Sequence, residues 1–289
     1  MPSLKELNVK IASLKNTQKM TKTMKLVAAS KMRRAQTAKE NAQDYAKRFR
    51  QIMAGLAASE TEISHPLLEE RDSPKRALIL AISSDRGLCG GFNNNLSRQV
   101  VTWVNDIKDI VGEVDVSTCG RRVNAFMRSR VEIRDYYEGV TEKPNFADAA
   151  RIGDDVMNAF IAGEYDFVYL AYNRFRSALS QVPVLEQLLP FEKEEQEREE
   201  GQTTARLYLF EPPEAELLEL LLPNTVRFRI FNALLENAAG EHAARMTAMD
   251  SATSNAGDMI DHYTLMRNRE RQAIITKELI EIVTGAESL

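Results

Sequence analysis

The distribution of proline places the tightest limit on the fold of this chain. All nine prolines fall at Pro2 or between Pro66 and Pro223, so residues 3–65 and 224–289 contain none. Proline breaks helices because it lacks a backbone N–H and its ring clashes with the preceding turn. The sequence therefore predicts two long uninterrupted helices, one near each end, around a middle region of different character.

The first proline-free segment has the apolar spacing of a long amphipathic helix. Apolar residues recur at alternating steps of three and four, and the face shifts at Met20, Met24 and Val27. Such spacing is typical of a coiled coil, here with an interrupted heptad. We expect this helix over residues 1–60, followed by a linker over 61–75. The other repeating residues are Leu4, Leu7, Ile11, Leu14, Ala35, Ala38, Ala42, Tyr45, Phe49, Ile52 and Leu56.

The middle region, residues 76–212, alternates short apolar runs rich in β-favouring residues with helix-like stretches. This alternation predicts a small α/β domain with a largely parallel sheet. The Glu-rich run Glu192–Glu200 is expected to be a solvated loop. The predicted strands are Arg76–Ser84, Val114–Cys119, Val131–Tyr137, Tyr165–Tyr172 and Arg206–Phe210, and the predicted helices are Asn95–Val111, Arg121–Arg128 and Phe146–Ala162.

The C-terminal region, 213–289, contains the second long helix. We expect it from Asn224 to about Thr284, with Pro223 interrupting its start. At ~1.5 Å per residue the two helices would run roughly 84 and 92 Å, whereas a compact domain of this length would be about 50 Å across. An elongated protein is therefore expected, in which the terminal helices pair as an antiparallel coiled coil.

Two parts of the second helix differ in character. Small residues crowd Ala238–Gly257, which predicts close packing against a neighbouring backbone. Near the end, six large apolar residues spread over roughly 240° of the helix circumference, too wide for one coiled-coil partner. This tip is expected inside an apolar sleeve made by other chains; the alternative is burial against the middle domain of its own chain. The six are Ile274, Ile275, Leu279, Ile280, Ile282 and Val283, and a polar belt over Arg267–Gln272 precedes them.

A glycine-rich loop, Ser83–Asn93, is the most enzyme-like feature. It follows a predicted strand, as a phosphate-binding loop would, but it matches neither GxxxxGK[ST] nor GxGxxG. A tight strand-to-helix turn is the favoured interpretation. The alternative, a small nucleotide-handling enzyme that uses Gly87–Gly91, predicts nucleotide binding by the middle domain.

Other residues give little sign of catalysis, metal binding or membrane insertion. Cys89 and Cys119 form no metal-ligand or disulfide-rich pattern and are expected to be reduced thiols, while the three histidines are isolated. We find no nucleophile–base arrangement and expect no cofactor. A hydrophobic content of 44% excludes wholesale disorder, and no apolar run reaches the roughly 18–20 residues that span a bilayer. The N-terminus lacks the apolar core of a signal peptide.

Charge is distributed unevenly along the chain. Residues 1–50 carry thirteen Lys or Arg and three acidic residues, although the whole chain has a net charge of −4. A nucleic-acid-binding coiled coil is one interpretation, and it predicts DNA affinity that depends on Lys15, Lys19 and Lys22 and falls with salt. Residues 1–44 contain no aromatic side chain for base stacking, and their lysines flank an apolar seam that needs a helical partner. A protein partner is therefore preferred.

Four separated motifs resemble the gamma subunit family of F-type ATP synthases, of bacterial type, over essentially the whole chain. They are MTKTMKLVAASKMRRAQ (Met20–Gln36), SSDRGLCGGFN (Ser83–Asn93), SQVPVLEQLLP (Ser180–Pro190) and the C-terminal pair RMTAMDSATSNAGDMI and RQAIITKELIEIVTGA. The resemblance implies an α/β fold in which a long antiparallel two-helix coiled coil, formed by the N- and C-terminal helices, joins a central Rossmann-like α/β domain.

The resemblance also implies a non-catalytic rotor shaft. Its coiled coil would thread a ring of alpha and beta subunits, and its middle domain would sit on the c-ring of the membrane sector beside the epsilon subunit. Proton-driven rotation would then cycle the catalytic sites of the beta subunits. Such a chain is peripheral, on the cytoplasmic face of the plasma membrane. The same resemblance implies ring contacts by Met24, Lys25, Arg271, Gln272, Ile275, Thr276, Leu279 and Ile282, and a contact on the c-ring and epsilon side by Tyr208.

Overall fold

A computed structural model of the chain describes residues 3–57, 65–69, 71, 73–191 and 214–287. A short 3-10 turn, Pro66–Leu68, precedes the first strand. The helices are α1 (Leu4–Ala57), α2 (Phe92–Val111), α3 (Arg121–Met127), α4 (Phe146–Ile161) and α5 (Glu214–Glu287). The strands are β1 (Arg76–Ile82), β2 (Glu113–Cys119), β3 (Ile133–Tyr137), β4 (Phe167–Phe175) and β5 (Gln181–Leu189).

The strands form one five-stranded sheet in the order β3-β2-β1-β4-β5. The first four strands are mutually parallel, and β5 pairs antiparallel with β4. Strand order reverses between β1 and β4, as in doubly wound sheets, where ligands often bind beyond the carboxyl ends of the strands at that point. The predicted α/β domain with a largely parallel sheet is confirmed.

Helices cover both faces of the sheet, and β1 shows why. Its residues Ala77–Ile82 are all buried, because alternate side chains point into two separate hydrophobic clusters. Leu78, Leu80 and Ile82 pack in the cluster that includes α4 and α5. Ala77, Ile79 and Ala81 pack in the cluster that includes α2 and α3. The uninterrupted apolar run RALILAI therefore belongs at the centre of the sheet.

Strand β5 was not among the predicted strands. It contains Pro183, which cannot donate a ladder hydrogen bond, and Glu186 interrupts its apolar run. Proline is tolerated there because, among the described residues, β5 lies at the edge of the sheet and pairs with β4 only. The predicted strand Arg206–Phe210 and the Glu-rich run 192–200 lie outside the described residues.

Helix α5 begins at Glu214 and continues through Pro223, so the predicted interruption at Pro223 is wrong. Packing holds the helix on both sides of the proline, since Leu222 and Val226 are fully buried. Two side chains just after the proline also donate to carbonyl groups of the preceding turn. The Asn224 amide donates to the Leu220 carbonyl, and the Thr225 hydroxyl donates to the Leu221 carbonyl, each at 2.9 Å.

The chain divides into two compact units. One contains residues 30–244, including the sheet and its helices. The other contains residues 1–29 and 245–289, which are the first part of α1 and the last part of α5. Among the described residues no helix is long and apolar enough to cross a membrane.

Candidate functional site

The helix pair formed by residues 1–29 and 245–289 contains most of the predicted contact residues. Leu7 and Ile11 of α1 are buried at the helical spacing that the sequence predicted for the seam. The predicted continuation through Met20 and Val27 is wrong: these side chains are 59% and 52% exposed, and the neighbouring Thr21 and Ala28 are buried instead. Met249 and Ala256 are buried on α5. The apolar seam of the amphipathic N-terminal helix is thus filled by a helix of the same chain.

Four contacts fix the direction of this pair. The Lys10 ammonium lies 5.4 Å from the centre of the Tyr263 ring. A Cβ added at Gly257 would lie 3.1 Å from the Gln18 amide nitrogen, so the helices approach closely there. The hydroxyls of Thr21 and Thr253 are hydrogen-bonded at 2.7 Å, and Lys25 pairs with Asp250 at 2.6 Å. Partner numbers fall along α5 as they rise along α1, so the predicted antiparallel pairing is confirmed.

The pairing ends before α5 does. Helix α1 begins at Leu4, six residues before Lys10, so its partner residues run out near Glu270. From Arg271 to Thr284 every side chain is exposed. The apolar residues Ile274, Ile275, Leu279, Ile280, Ile282 and Val283 are 36–68% exposed, so the alternative that this tip is buried within its own chain is wrong. Residues 271–287 extend about 25 Å as a single helix with apolar side chains on several sides.

The predicted ring-contact residues therefore lie in two places. Met24 and Lys25 are half-buried in the helix pair, where Lys25 meets Asp250. Arg271, which begins the second group, is about 30 Å further along α5 at ~1.5 Å per residue. The structure does not bring the two groups together. The second group, Arg271, Gln272, Ile275, Thr276, Leu279 and Ile282, is exposed along the unpaired tip, and Tyr208 lies outside the described residues.

The glycine-rich loop connects β1 to α2 at the point where strand order reverses. Its polar side chains bond to one another. The Asn93 amide oxygen accepts from the Ser84 hydroxyl at 2.8 Å and from the Ser84 backbone N–H at 3.2 Å. The Asn93 amide nitrogen donates to the Arg86 carbonyl at 3.2 Å. Leu88 adopts φ +63, so the turn is tight, as the preferred interpretation of this loop requires.

Helix α5 fills the crevice beside this loop. The Asn237 amide donates to the Ser83 carbonyl at 2.9 Å. A Cβ added at Gly240 would lie only 3.0 Å from the Phe92 ring, at the first residue of α2. A doubly wound sheet would offer its ligand site here, but this chain places its own helix in that space.

Both cysteines of the chain lie in this region. Cys89 and Cys119 are buried and form no disulfide. Burial raises the pKa of the Cys119 thiol; the charge of Arg151 opposes this shift and that of Asp85 adds to it, so the protonated thiol is favoured. In the part of the chain that the structure describes, no His, Cys, Asp and Glu side chains are grouped as metal ligands would be.

Sequence reasoning missed a cluster of buried polar residues on α5. Glu236, Asn237, Glu241 and His242 are all less than 9% exposed. The signal was present, since Glu236 and Asn237 directly precede the run of small residues that predicted close packing, and Glu241 and His242 interrupt it. A charged residue in a tightly packed stretch needs a partner, and Glu236 has Lys39 of α1 at 3.0 Å.

Comparison with known proteins places these features in a family. The ATP synthase family model matches residues 3–289. The ATP synthase gamma chain of Geobacter metallireducens is 45% identical over 289 residues, covering 100% of this chain and 99% of the relative. That of Pelotomaculum thermopropionicum is 46% identical over 290 residues, covering all of both chains.

Solved structures agree with the sequence comparison. A chain of the central stalk and c-ring structure of Tetrahymena thermophila mitochondrial ATP synthase matches with a TM-score of 0.60 and 25% identity, covering 81% of this chain and 99% of that one. A chain of the Euglena gracilis mitochondrial ATP synthase rotor matches with a TM-score of 0.66 and 19% identity, covering 94% and 98%. The second match shows the fold alone.

Proposed function

This chain belongs to the ATP synthase family as a gamma chain, a subunit of the central stalk. We propose that it is the rotating shaft that couples proton flow to catalysis. The c-ring turns the shaft, and the shaft moves the beta subunits through successive nucleotide affinities in synthesis or hydrolysis of ATP. The chain itself catalyses no reaction.

The observation that carries this proposal is the unpaired, apolar tip of α5. Six large apolar side chains are exposed on a helix that has passed the end of its partner. Exposed apolar surface of this kind marks an interaction site, because water contact with it is unfavourable. A sleeve formed by alpha and beta subunits would cover the tip on all sides. Since its contacts would be apolar and unspecific in direction, the tip could turn inside that sleeve.

Polar contacts with the ring are proposed at two levels of the shaft. Arg271, Gln272 and Thr276 lie at the base of the tip, and their exposed side chains can hydrogen-bond to the beta subunits. Ile275, Leu279 and Ile282 would pack against the sleeve. Met24 and Lys25 would form a separate contact about 30 Å away along the helix. Tyr208 is proposed to face the c-ring and the epsilon subunit.

The basic first helix fits acidic partner loops. Residues 1–50 carry thirteen Lys or Arg. Lys25 and Lys39 pair with acidic residues of the same chain, and the exposed basic side chains would face acidic loops of the beta subunits and polar loops of the c-ring. Exposed pairs of this kind contribute about 0.2–1 kcal/mol each, so they would guide docking more than they hold it. With these partners the chain is peripheral, on the cytoplasmic face of the plasma membrane.

The proposed functional regions of the chain are an N-terminal helix over residues 1–60, a linker over 61–75, the α/β domain over 76–212 and a C-terminal helix over 213–289.

Native mass spectrometry of the complex purified from its source tests the proposal. The spectrum should contain this chain once, beside three copies each of two larger subunits and with a small epsilon-type subunit. Removal of the c-ring with detergent should leave the assembly of this chain with the two larger subunits and the epsilon-type subunit intact. A chain that purifies free of any larger complex, or in more than one copy per assembly, would contradict a central shaft.

A further inference from the structure

Two consecutive buried residues of α5 bond to the carboxyl edge of the sheet. The Glu236 carboxylate accepts a hydrogen bond from the Phe175 backbone N–H, at the end of β4, at 3.1 Å. The Asn237 amide donates to the Ser83 carbonyl, just after β1, at 2.9 Å. Because β1 and β4 are neighbours, the helix is bound to both strands on either side of the crevice.

The same carboxylate also binds the other long helix. Lys39 of α1 lies 3.0 Å from the second oxygen of Glu236, and both side chains are largely buried, at 14% and 9% exposed. The Lys39 ammonium also lies 5.8 Å from the centre of the Phe175 ring. One carboxylate therefore joins α1, α5 and β4.

Side chains packed around α5 near Glu236 leave little room for the helix to slide along the sheet. Gly240, one turn beyond Glu236, faces the Phe92 ring and the Gln181 side chain, with 3.0 and 3.3 Å to an added Cβ. Phe92 is held in turn, since its carbonyl accepts from the Asn173 amide at 3.3 Å. Residues from α2, β4 and β5 thus surround the face of α5 that carries Glu236 and Asn237.

A buried ion pair needs an explanation other than stability. Removing two charges from water costs free energy that their attraction often fails to recover, and apolar replacements of similar size are frequently as stable. An ion pair and directed hydrogen bonds do, however, fix the rotation of a helix about its axis, which apolar packing fixes less well. The cluster therefore serves to fix the orientation of α5 about its own axis.

We propose that Lys39, Glu236 and Asn237 form a torsional lock, which makes α1, α5 and the sheet turn as one body. These three are positioning residues, and the inference rests on the proposed rotor function. Torque that enters through the α/β domain has to pass to the long helices. Arg227 of α5 also pairs with Asp154 of α4 at 2.7 Å, but the Lys39–Glu236 pair connects α1 as well as α5 to the sheet. Without it, the helices would twist more easily against the sheet before they moved the ring.

The test compares assembled complexes that carry three versions of this chain. The lock variant is Lys39→Met with Glu236→Leu, which removes the ion pair and the acceptor for Phe175 while keeping the volume apolar. The matched control is Arg121→Gln with Glu138→Gln, which removes an exposed ion pair at 3.4 Å. The ring is immobilised, a bead is attached to the α/β domain, and the torsional stiffness is obtained from angular fluctuations of the bead at each pause. The ratio of ATP-driven proton pumping to ATP hydrolysis is measured in vesicles.

The lock variant should assemble, hydrolyse ATP and lose about two-fold or more in stiffness and in the pumping ratio, because the three residues act as one network. The control should match the wild type. Unchanged stiffness in the lock variant would overturn the inference.

If the lock variant fails to assemble, Glu236→Gln takes its place. This variant keeps the shape of the side chain and the hydrogen bond from Phe175, and it should show a smaller loss of stiffness. Failure of Glu236→Gln to assemble while the chain still folds would assign these residues to assembly and would also overturn the inference. A wild-type complex that does not turn would instead contradict the proposed function.

Discussion

At the scale of single residues, two glycines allow the cost of a steric clash from an added Cβ to be compared with the cost of backbone strain alone. Gly120 (φ +104) and Gly139 (φ +76) both adopt conformations that side chains disfavour. A Cβ at Gly120 would lie 2.9 Å from the Ser83 carbonyl oxygen, whereas a Cβ at Gly139 would meet nothing within 4 Å. Gly120 therefore allows the ends of β1 and β2 to approach each other.

Replacement by alanine should thus have unequal effects. We expect Gly120→Ala to lower the free energy of unfolding by about 3 kcal/mol or more, and Gly139→Ala by about 1 kcal/mol. The fluorescence of the single tryptophan, Trp103, which packs against the same cluster as β1 and α2, reports unfolding of this domain in urea. Equal destabilisation by the two substitutions would contradict the close approach at Gly120.

Asp166 provides a pH-dependent test. Burial alone would raise the pKa of this carboxyl, but backbone N–H groups of Lys75 and Arg76, together with the Arg71 guanidinium, outweigh it and leave the pKa below its usual value. A lowered folded-state pKa means that the stability contribution is present above the unfolded value of about 3.9 and is lost as pH falls through the folded value.

Asp166→Asn should therefore destabilise the domain by about 1–2 kcal/mol at pH 7, since hydrogen bonds to a charged acceptor are lost. The difference from the wild type should shrink as the pH is lowered below about 4. Urea titrations followed through Trp103 at several pH values measure it. A difference that is constant from pH 3 to 7 would show that the ionised carboxylate contributes nothing.

At the scale of helices and strands, Pro223 allows a test of how packing holds the first turns of α5. The proline leaves the Glu219 carbonyl without its helical donor, and Pro223→Ala would restore that bond. We expect the substitution to stabilise the helix by up to about 3 kcal/mol and to slow amide hydrogen exchange over residues 217–226. Leu220→Ala, at an exposed position of the same turn, is the control and should leave exchange nearly unchanged. Faster exchange in Pro223→Ala would mean that packing of Leu222 and Val226 requires the proline geometry.

The elements also show which sequence signals suffice. Four of the five observed strands and the three helices of the domain were predictable, because continuous apolar runs and helical periodicity record burial directly. Strand β5 was missed, since an edge strand with Pro183 and Glu186 lacks both signals. The passage of α5 through Pro223 was also missed, because tertiary packing of Leu222 and Val226 overrides local propensity there.

The candidate site was predictable only in part for a related reason. The width of the apolar tip is a property of one helix and can be read from spacing alone. The lock of Lys39, Glu236 and Asn237 joins residues that are nearly 200 positions apart, so no local pattern records it. The distance between Lys25 and Arg271 likewise required the register of the antiparallel pair.

At the scale of the whole molecule, the exposed tip predicts a mutant that folds but does not assemble. Ile275 and Leu279 are 48% and 57% exposed, so Ile275→Asp with Leu279→Asp should change the free energy of unfolding by no more than about 1 kcal/mol, through helix propensity. Charges in an apolar sleeve are costly, so co-purification with the alpha and beta subunits should be strongly reduced.

The matched control for this mutant is Ile110→Asp with Ile161→Asp, which places the same charges at exposed apolar positions of α2 and α4. It should co-purify with the ring as the wild type does. Normal assembly of the tip mutant would argue against a buried tip, and equal loss in both mutants would point to a general effect of surface charge.

Rotation of this chain inside its complex can be observed directly. The alpha–beta ring is fixed to a surface, a bead is attached to the α/β domain of this chain, and ATP is added. A rotating shaft should turn the bead in one direction, with three pauses per turn at low ATP concentration, one for each beta subunit. A bead that stays fixed while the same complex hydrolyses ATP would contradict the proposed rotation.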